Sequence, residues 1–228
     1  MDCIILAGGL GTRLRSVVPH LPKALAPIQG VPFLNLIVRQ LILSNSISKI
    51  TLALGYLAEQ VMDAFKNVPF PIDYSYEELP LGTGGATLKA MKKTTSDPVF
   101  VINGDTYLDI SLSQMLAFHR TKEAGATLAC QKVENADRYG TLELSPPGQI
   151  LGFKEKGSKE GVINCGFYLF NRSLFENLPF GESFSLEHDA FPHFLKYKMV
   201  GFYSEGAFID IGTPESFARS QELLRLIV

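Results

Sequence analysis

Two cations and two acids, far apart in the chain, stand in segments that could carry them to one phosphate compound. The first cation is Arg13, in IILAGGLGTRL (4–14), where an apolar run feeds three glycines. Gly8, Gly9 and Gly11 let backbone N–H groups converge on phosphate oxygens with no Cβ in the way. Arginine adds a planar fork of donors that matches phosphate geometry. Lys23 follows Pro22 in LPKALAPI (21–28) and supplies a second cation for a polyphosphate. The acids are Asp105 in VINGDTYLD (101–109) and Asp210 in AFIDIGTP (207–214). Carboxylates just beyond buried strands sit where open α/β sheets bind ligands. An Asp within an apolar run is costly unless paired or bound to a cation. Two such acids suit a Mg²⁺ ion that also takes oxygens from substrate phosphates.

Taken singly, these residues have plainer readings: Lys23 as a solvated side chain, Asp105 as a turn former, Asp210 as a cap for the last helix. Their combination is what points to phosphate chemistry. The common nucleotide signatures do not explain it. A dinucleotide fingerprint fits Gly9 and Gly11 but finds Leu14 at its third glycine, and the second strand ends in LALGY without the ribose-binding acid. A P-loop needs Gly-Lys-Ser/Thr, and this loop reads Gly-Thr-Arg. An NAD-dependent oxidoreductase is therefore disfavoured.

A further glycine cluster, LPLGTGGA (79–86), opens a helix whose N-terminus carries free N–H groups and partial positive charge. Thr83 can cap that helix. Glycine costs a helix about 1 kcal/mol relative to alanine, so two in the first turn predict close approach of a flat or bulky ligand. GFKEKG (152–157) and INCGFY (163–168) add Glu155, Lys156 and Asn164. A carboxylate and an amide can engage vicinal sugar hydroxyls, and Lys156 can neutralise a sugar phosphate. The four histidines, His20, His119, His188 and His193, show no ligand spacing and read as structural.

The elements that must position these groups are legible as patterns. DCIILA (2–7) and PVFVING (98–104) are continuous apolar runs, the mark of strands buried on both faces. KITLAL (49–54) and IDYSYE (72–77) read as strands. Helices are predicted at 32–44, from Leu34, Ile37, Val38 and Leu41, around Leu57 to Phe65, and at 83–93. This β-loop-α rhythm implies a parallel sheet with right-handed crossovers. After a helix near 112–119, strands at 126–133, 140–145 and 149–156 are separated by turn chemistry such as Pro146-Pro147-Gly148, which predicts hairpins. A long strand at 161–170, helices at 171–178 and 185–197, two late strands and a helix from Pro214 complete the reading. The expected fold is one α/β domain over 1–228 with a Rossmann-like mixed, mostly parallel sheet flanked by helices.

Composition agrees. The chain has 228 residues, 46% hydrophobic and 19% charged, with net charge −2. These are globular values, and the absence of a basic run argues against a nucleic-acid binder. No apolar stretch approaches the ~18 residues of a membrane span. Cys3, Cys130 and Cys165 each lie in apolar segments without disulfide or metal spacing, which reads as buried thiols in a cytoplasmic protein.

The motifs Gly8 to Leu14, Pro22-Lys23, Leu81 to Gly85, Gly104-Asp105, Glu155-Lys156, Asn164-Cys165-Gly166 and Asp210 to Pro214 together resemble the sugar-1-phosphate nucleotidyltransferases, the nucleotide-sugar pyrophosphorylases. The resemblance covers essentially the whole chain in order. It implies a nucleotide-binding half (1–110), a sugar-binding half (111–228), and the reaction of a nucleoside triphosphate with a sugar 1-phosphate to give nucleotide-sugar and pyrophosphate. It further implies that Leu6, Ala7 and Gly8 line the base with Glu77 and Gly82, beside Gly9 and Thr83, while Gly11, Thr12 and Arg13 hold the triphosphate. Lys23 would bridge the reacting phosphates, Asp105 and Asp210 would bind Mg²⁺, Gly140, Glu155 and Asn164 would read the sugar, and Lys156 its phosphate. EELPLGTGGA, DRYGT and FIDIGTPE look most like the branch that couples GTP to D-glycero-α-D-manno-heptose 1-phosphate, a surface-polysaccharide precursor step. Mannose-1-phosphate guanylyltransferases and uridylyl- or cytidylyltransferases remain near alternatives. Another class, a non-catalytic sugar-nucleotide-binding regulator, could dispense with Lys23 or one acid, yet all are present. RSVVPHLPK departs from the Pro-Leu-Thr that many relatives carry. Homo-oligomerisation is compatible with the sequence.

Overall fold

The computed structural model describes residues 1–154 and 160–223. Its parallel core is built by β1 (Asp2–Leu6), β4 (Lys49–Leu54), β5 (Ile72–Tyr76) and β6 (Val99–Asn103), with a small hairpin of β2 (Pro27–Ile28) and β3 (Val31–Pro32) between the first two. The order across this part is β6-β1-β4-β5, all neighbours parallel. Between the strands run α1 (Phe33–Leu43), α2 (Ala58–Phe65) and α3 (Gly82–Met91). β1 is buried on both faces, as its unbroken apolar run requires: Cys3 and Ile5 face one core and Ile4 the other. The first core takes α1 through Leu34, Ile37, Val38 and Leu41, the helical stripe expected from the spacing. The second takes Ala86, Ala90 and Met91 of α3.

The rest of the sheet is antiparallel except at its outer edge, where the pairing is parallel again. After β7 (Thr106–Leu108) and α4 (Leu112–Thr121) come β8 (Ala126–Val133), β9 (Thr141–Leu144), β10 (Ile150–Lys154) and β11 (Gly161–Phe170). β9 and β10 form the hairpin that the Pro-Pro-Gly turn predicts. β8 lies along one edge of β11 for most of its length. The other edge is shared, with β6 pairing Phe167–Phe170 and β9 pairing Val162 and Ile163. The change of partner falls at a bulge between Asn164 and Tyr168, where Gly166 takes φ +71. Bulges bend a strand and re-aim its side chains. Here the bend brings the end of β6 and the start of β9 together.

β12 (Met199–Tyr203) extends the sheet as the parallel edge beside β8, and β13 (Phe208–Asp210) pairs β7 in a separate two-stranded ribbon before α6 (Pro214–Leu223). Two helices expected from the sequence are shorter than predicted. Only a 3₁₀ turn, Arg172–Phe175, occupies 171–178. In 185–197 a π turn, Leu186–Ala190, leads into the four-residue α5 (Phe191–Phe194). Pro192 is the reason for the second, since it has no N–H to donate back and limits a regular ladder to its C-terminal side. Phe191 and Phe194 nonetheless bury their rings against Phe170.

Candidate active site

β1 ends at Leu6, and the glycine loop begins at the C-terminal end of the parallel strands. Leu14, 1% exposed, and Val18 anchor the far side of the loop in the core, leaving Gly9, Leu10, Thr12 and Arg13 exposed. Gly11 has φ +58, and a Cβ there would lie 3.0 Å from the Cβ of Lys23. The loop therefore rests on the lysine, as glycine alone allows. Pro22 holds an extended conformation and Lys23 opens a 3₁₀ turn whose Ala24 and Leu25 are buried, so the backbone beneath the lysine is fixed.

Lys23 Nζ forms an ion pair with Asp105 Oδ2. Asp105 lies in the two-residue turn from β6 to β7, and its carbonyl accepts from Ile211 N at 3.1 Å. The β7–β13 register sets Thr106 opposite Asp210. The two acids, distant in sequence, thus flank one ribbon end. Asp210 has only 16% of its side chain exposed. Burial pushes its carboxyl above the ordinary value, and the Asp105 charge adds to this, against Gly212 N–H, Lys23 and Arg138. Asp105 and Asp210 could together hold a divalent cation, whose charge would offset theirs. Among the described residues no third His, Cys, Asp or Glu joins them, so remaining ligands would be substrate oxygens and water.

A cleft of about 300 Å³ adjoins this centre. Leu6, Ala7, Gly8 and Gly9 line it with Lys23, Glu77, Gly82, Thr83 and Asp105. Glu77 follows β5 and accepts from Leu81 N at 2.9 Å through Oε2. Burial pushes its carboxyl up, against that N–H and the charge of Lys89.

The close approach that Gly84 and Gly85 predict is made by the chain itself. A Cβ on Gly84 would stand 2.2 Å from the Phe184 ring, and one on Gly85 2.1 Å from Glu182 O. These glycines admit the loop 182–184 and no ligand. Thr83 does not cap α3 either: its hydroxyl donates to Glu187 Oε2 at 2.7 Å and accepts from Leu186 N at 2.8 Å. It lines the cleft while tying that loop down.

Other expected residues stand differently. Arg13 is exposed and has no hydrogen bond or ion pair among the described residues. Asn164 uses its amide within the β11 bulge, donating to Tyr168 Oη at 2.9 Å and accepting from Gly166 N at 3.0 Å. Gly140 is exposed just before β9, with only Lys154 O near a Cβ position, at 3.6 Å. Glu155 and Lys156 lie outside the described residues. His119 is buried between Thr127 Oγ1 and Asn171 Oδ1, and the three cysteines are buried and unpaired, all as expected.

Two residues escaped the sequence reading. Asn103 lines the cleft, and its Oδ1 is buried without a partner. Its signal in the sequence is its place as the last residue of β6, at the C-terminal end of a parallel strand where open α/β sheets bind ligands. Arg138 Nη2 donates to Asp210 Oδ2 at 3.2 Å. Its only trace in the sequence is the DRYGT segment.

A glycine loop, a lysine, two acids and a cleft thus gather at the C-terminal end of the parallel strands. Residues 2–225 match the model described as nucleotidyl transferase. The chain belongs to the nucleotidyl transferase family. As a nucleotidyl transferase it is 43% identical over 229 residues to the D-glycero-α-D-manno-heptose 1-phosphate guanylyltransferase of Aneurinibacillus thermoaerophilus, with 99% of each chain covered. It is 38% identical to the protein of the same name from Campylobacter jejuni, covering 95% of this chain and 97% of the relative. Among solved structures it resembles HddC from Yersinia pseudotuberculosis, with TM-score 0.89, 34% identity, and 98% and 99% of the two chains covered. The complex of that protein with GMP-PN superposes with TM-score 0.88. The fold is that of these nucleotidyl transferases, and no helix among the described residues is long and apolar enough to cross a membrane.

Proposed function

We propose that this nucleotidyl transferase joins GTP and D-glycero-α-D-manno-heptose 1-phosphate to give GDP-heptose and pyrophosphate. The observation that carries the reading is the contact of Lys23 with Asp105 beneath the glycine loop at the cleft, with Asp210 on the neighbouring strand opposite Thr106. The full-length likeness to two heptose 1-phosphate guanylyltransferases supports the choice of substrates.

The nucleophile is a sugar-phosphate oxygen, already ionised at neutral pH. It bonds to the α-phosphorus as the bond to the bridging oxygen of pyrophosphate breaks, and no proton needs to move. That suits a site whose histidines are remote or structural. The difficulty is charge, because two anions must meet and a third must leave. Lys23, released from Asp105, would lie along the reacting phosphates, and Arg13 at the exposed turn would take the departing pair. Catalysis is then mostly positioning and charge stabilisation. Mg²⁺ held by Asp105 and Asp210 would offset charge on the phosphate oxygens.

The division of labour follows the chain. Residues 1–110 take the nucleotide, with the base between Leu6, Ala7, Gly8 and Gly82. Glu77 accepts from guanine N1–H and the 2-amino group. Gly9, Gly11, Thr12 and Thr83 border the ribose and phosphates. Residues 111–228 take the sugar at the β11 bulge near Gly140 and Asn164. Asn103 Oδ1, a buried acceptor without a partner, is available there to a hydroxyl. Glu155 is assigned to the sugar and Lys156 to its phosphate. The enzyme would act in the cytoplasm, where GTP is supplied.

A matrix of nucleoside triphosphates against heptose, mannose and glucose 1-phosphates, read by pyrophosphate release, tests this directly. GTP with the heptose phosphate should give the highest kcat/KM, and the signal should vanish on chelation of Mg²⁺. Absence of turnover with every pair, alongside tight GDP-sugar binding, would favour a regulatory protein.

A further inference from the structure

Each acid of the proposed cation site already holds a protein cation. Asp105 has Lys23, and Asp210 has Arg138. Two carboxylate charges are thus met by two positive side chains before any metal enters. The second pairing is not an incidental surface contact. Arg138 Nη2 also donates to Thr213 Oγ1 at 3.1 Å, three residues beyond the acid. The guanidinium stands over the Tyr139 ring at 5.8 Å, and that ring packs edge-on against Phe208, on the strand that carries Asp210. The remaining oxygen of Asp210, Oδ1, is taken by Gly212 N at 2.7 Å. Both oxygens of the acid are therefore in use, one of them by a cation that a metal would have to displace or sit beside.

We propose that Arg138 is a built-in competitor for the cation site, occupying Asp210 until nucleotide arrives, so that the acid pair takes a divalent ion tightly only together with a triphosphate. The inference rests on the assignment of Asp105 and Asp210 as cation ligands. Its physical basis is charge balance. A site made neutral by its own side chains has little attraction for a free dication. A polyphosphate changes that balance, because its negative charge draws Lys23 and Arg138 away and exposes both carboxylates. Arg138 sits just before β9, so its release also frees the segment that leads into Gly140 and the sugar side of the site.

Mn²⁺ titration followed by electron paramagnetic resonance separates the outcomes, using wild type, Arg138→Gln, Arg138→Lys and Asp210→Asn with folding checked by circular dichroism. Without nucleotide, Arg138→Gln should bind Mn²⁺ roughly tenfold more tightly than wild type, the order expected for removing a screened unit charge at a shared carboxylate. Arg138→Lys, which keeps the charge, should stay near wild type. With a non-hydrolysable GTP analogue present, Arg138→Gln and wild type should agree within about threefold. If Asp210→Asn binds Mn²⁺ with analogue as well as wild type does, the cation-site assignment itself fails. If Asp210→Asn loses the ion but Arg138→Gln binds it no more tightly than wild type, the assignment stands and the role given to Arg138 is overturned. Equal tightening by Gln and Lys would also overturn charge competition.

Discussion

Replacing Lys23 by alanine probes the proposed chemistry most directly. The side chain is 17% exposed, it reaches Asp105, and its Cβ supports Gly11, so it is positioned before substrate binds. Removing one preorganised charge donor aimed at a developing charge costs on the order of 10²–10³ in kcat, or about 2.7–4 kcal/mol of transition-state stabilisation. The effect on folding should be much smaller. Asp105 is 34% exposed, and partly solvated ion pairs contribute about 1 kcal/mol or less. The two numbers make the test discriminating: activity should fall steeply while the urea midpoint barely moves. Stopped-flow pyrophosphate release under saturating GTP and sugar phosphate gives kcat, and KM for GTP should change by a smaller factor. Turnover within threefold of wild type, in a variant of normal stability, would remove Lys23 from the mechanism.

Three further outcomes follow from the geometry. Glu77→Gln keeps an acceptor for Leu81 N but loses the charge that suits guanine, so KM for GTP should rise by about 10-fold or more, the range for one charged hydrogen bond, and preference over UTP should narrow in a competition assay. Gly84→Ala drives a Cβ toward the Phe184 ring, and the overpacking should cost about 1–3 kcal/mol in urea unfolding, with Phe184→Leu recovering part of it. Burial holds His119 below its ordinary pKa, despite its bond to Asn171. Its contribution to stability is complete above the unfolded value of 6.5 and is lost as pH falls toward the folded value. A melting-temperature series should show His119→Gln flatter than wild type below that pH, and identical slopes would sink the assignment.

Much of this protein is local in origin. Continuous apolar runs define β1 and β6, and turn chemistry defines the β9–β10 hairpin. These patterns depend on near neighbours in the chain, so residue order alone specifies them. The spacing of Leu34, Ile37, Val38 and Leu41 likewise specifies α1 and its buried face. The glycine loop, Lys23 and the two acids were legible for the same reason, since residue type and strand-end position mark them without knowledge of their partners. Pro192 limits the helix by its residue type alone, but the π turn before it depends on how Ser185 and Asp189 close on each other.

The partnerships were decided in three dimensions. Nothing near position 138 says that its guanidinium meets position 210, because that contact needs the β7–β13 register and the bend of β11 at Gly166. Gly84 and Gly85 looked open to a ligand until Phe184, a hundred positions away, was found in the space. Asn103 is marked in the sequence only by its place at the end of β6, and its buried acceptor depends on β11 pairing beside that strand. Sequence determines which groups are present and which local element carries each. Which charge neutralises which, and whether a gap receives substrate or the chain itself, follows from long-range strand pairing that no local pattern encodes.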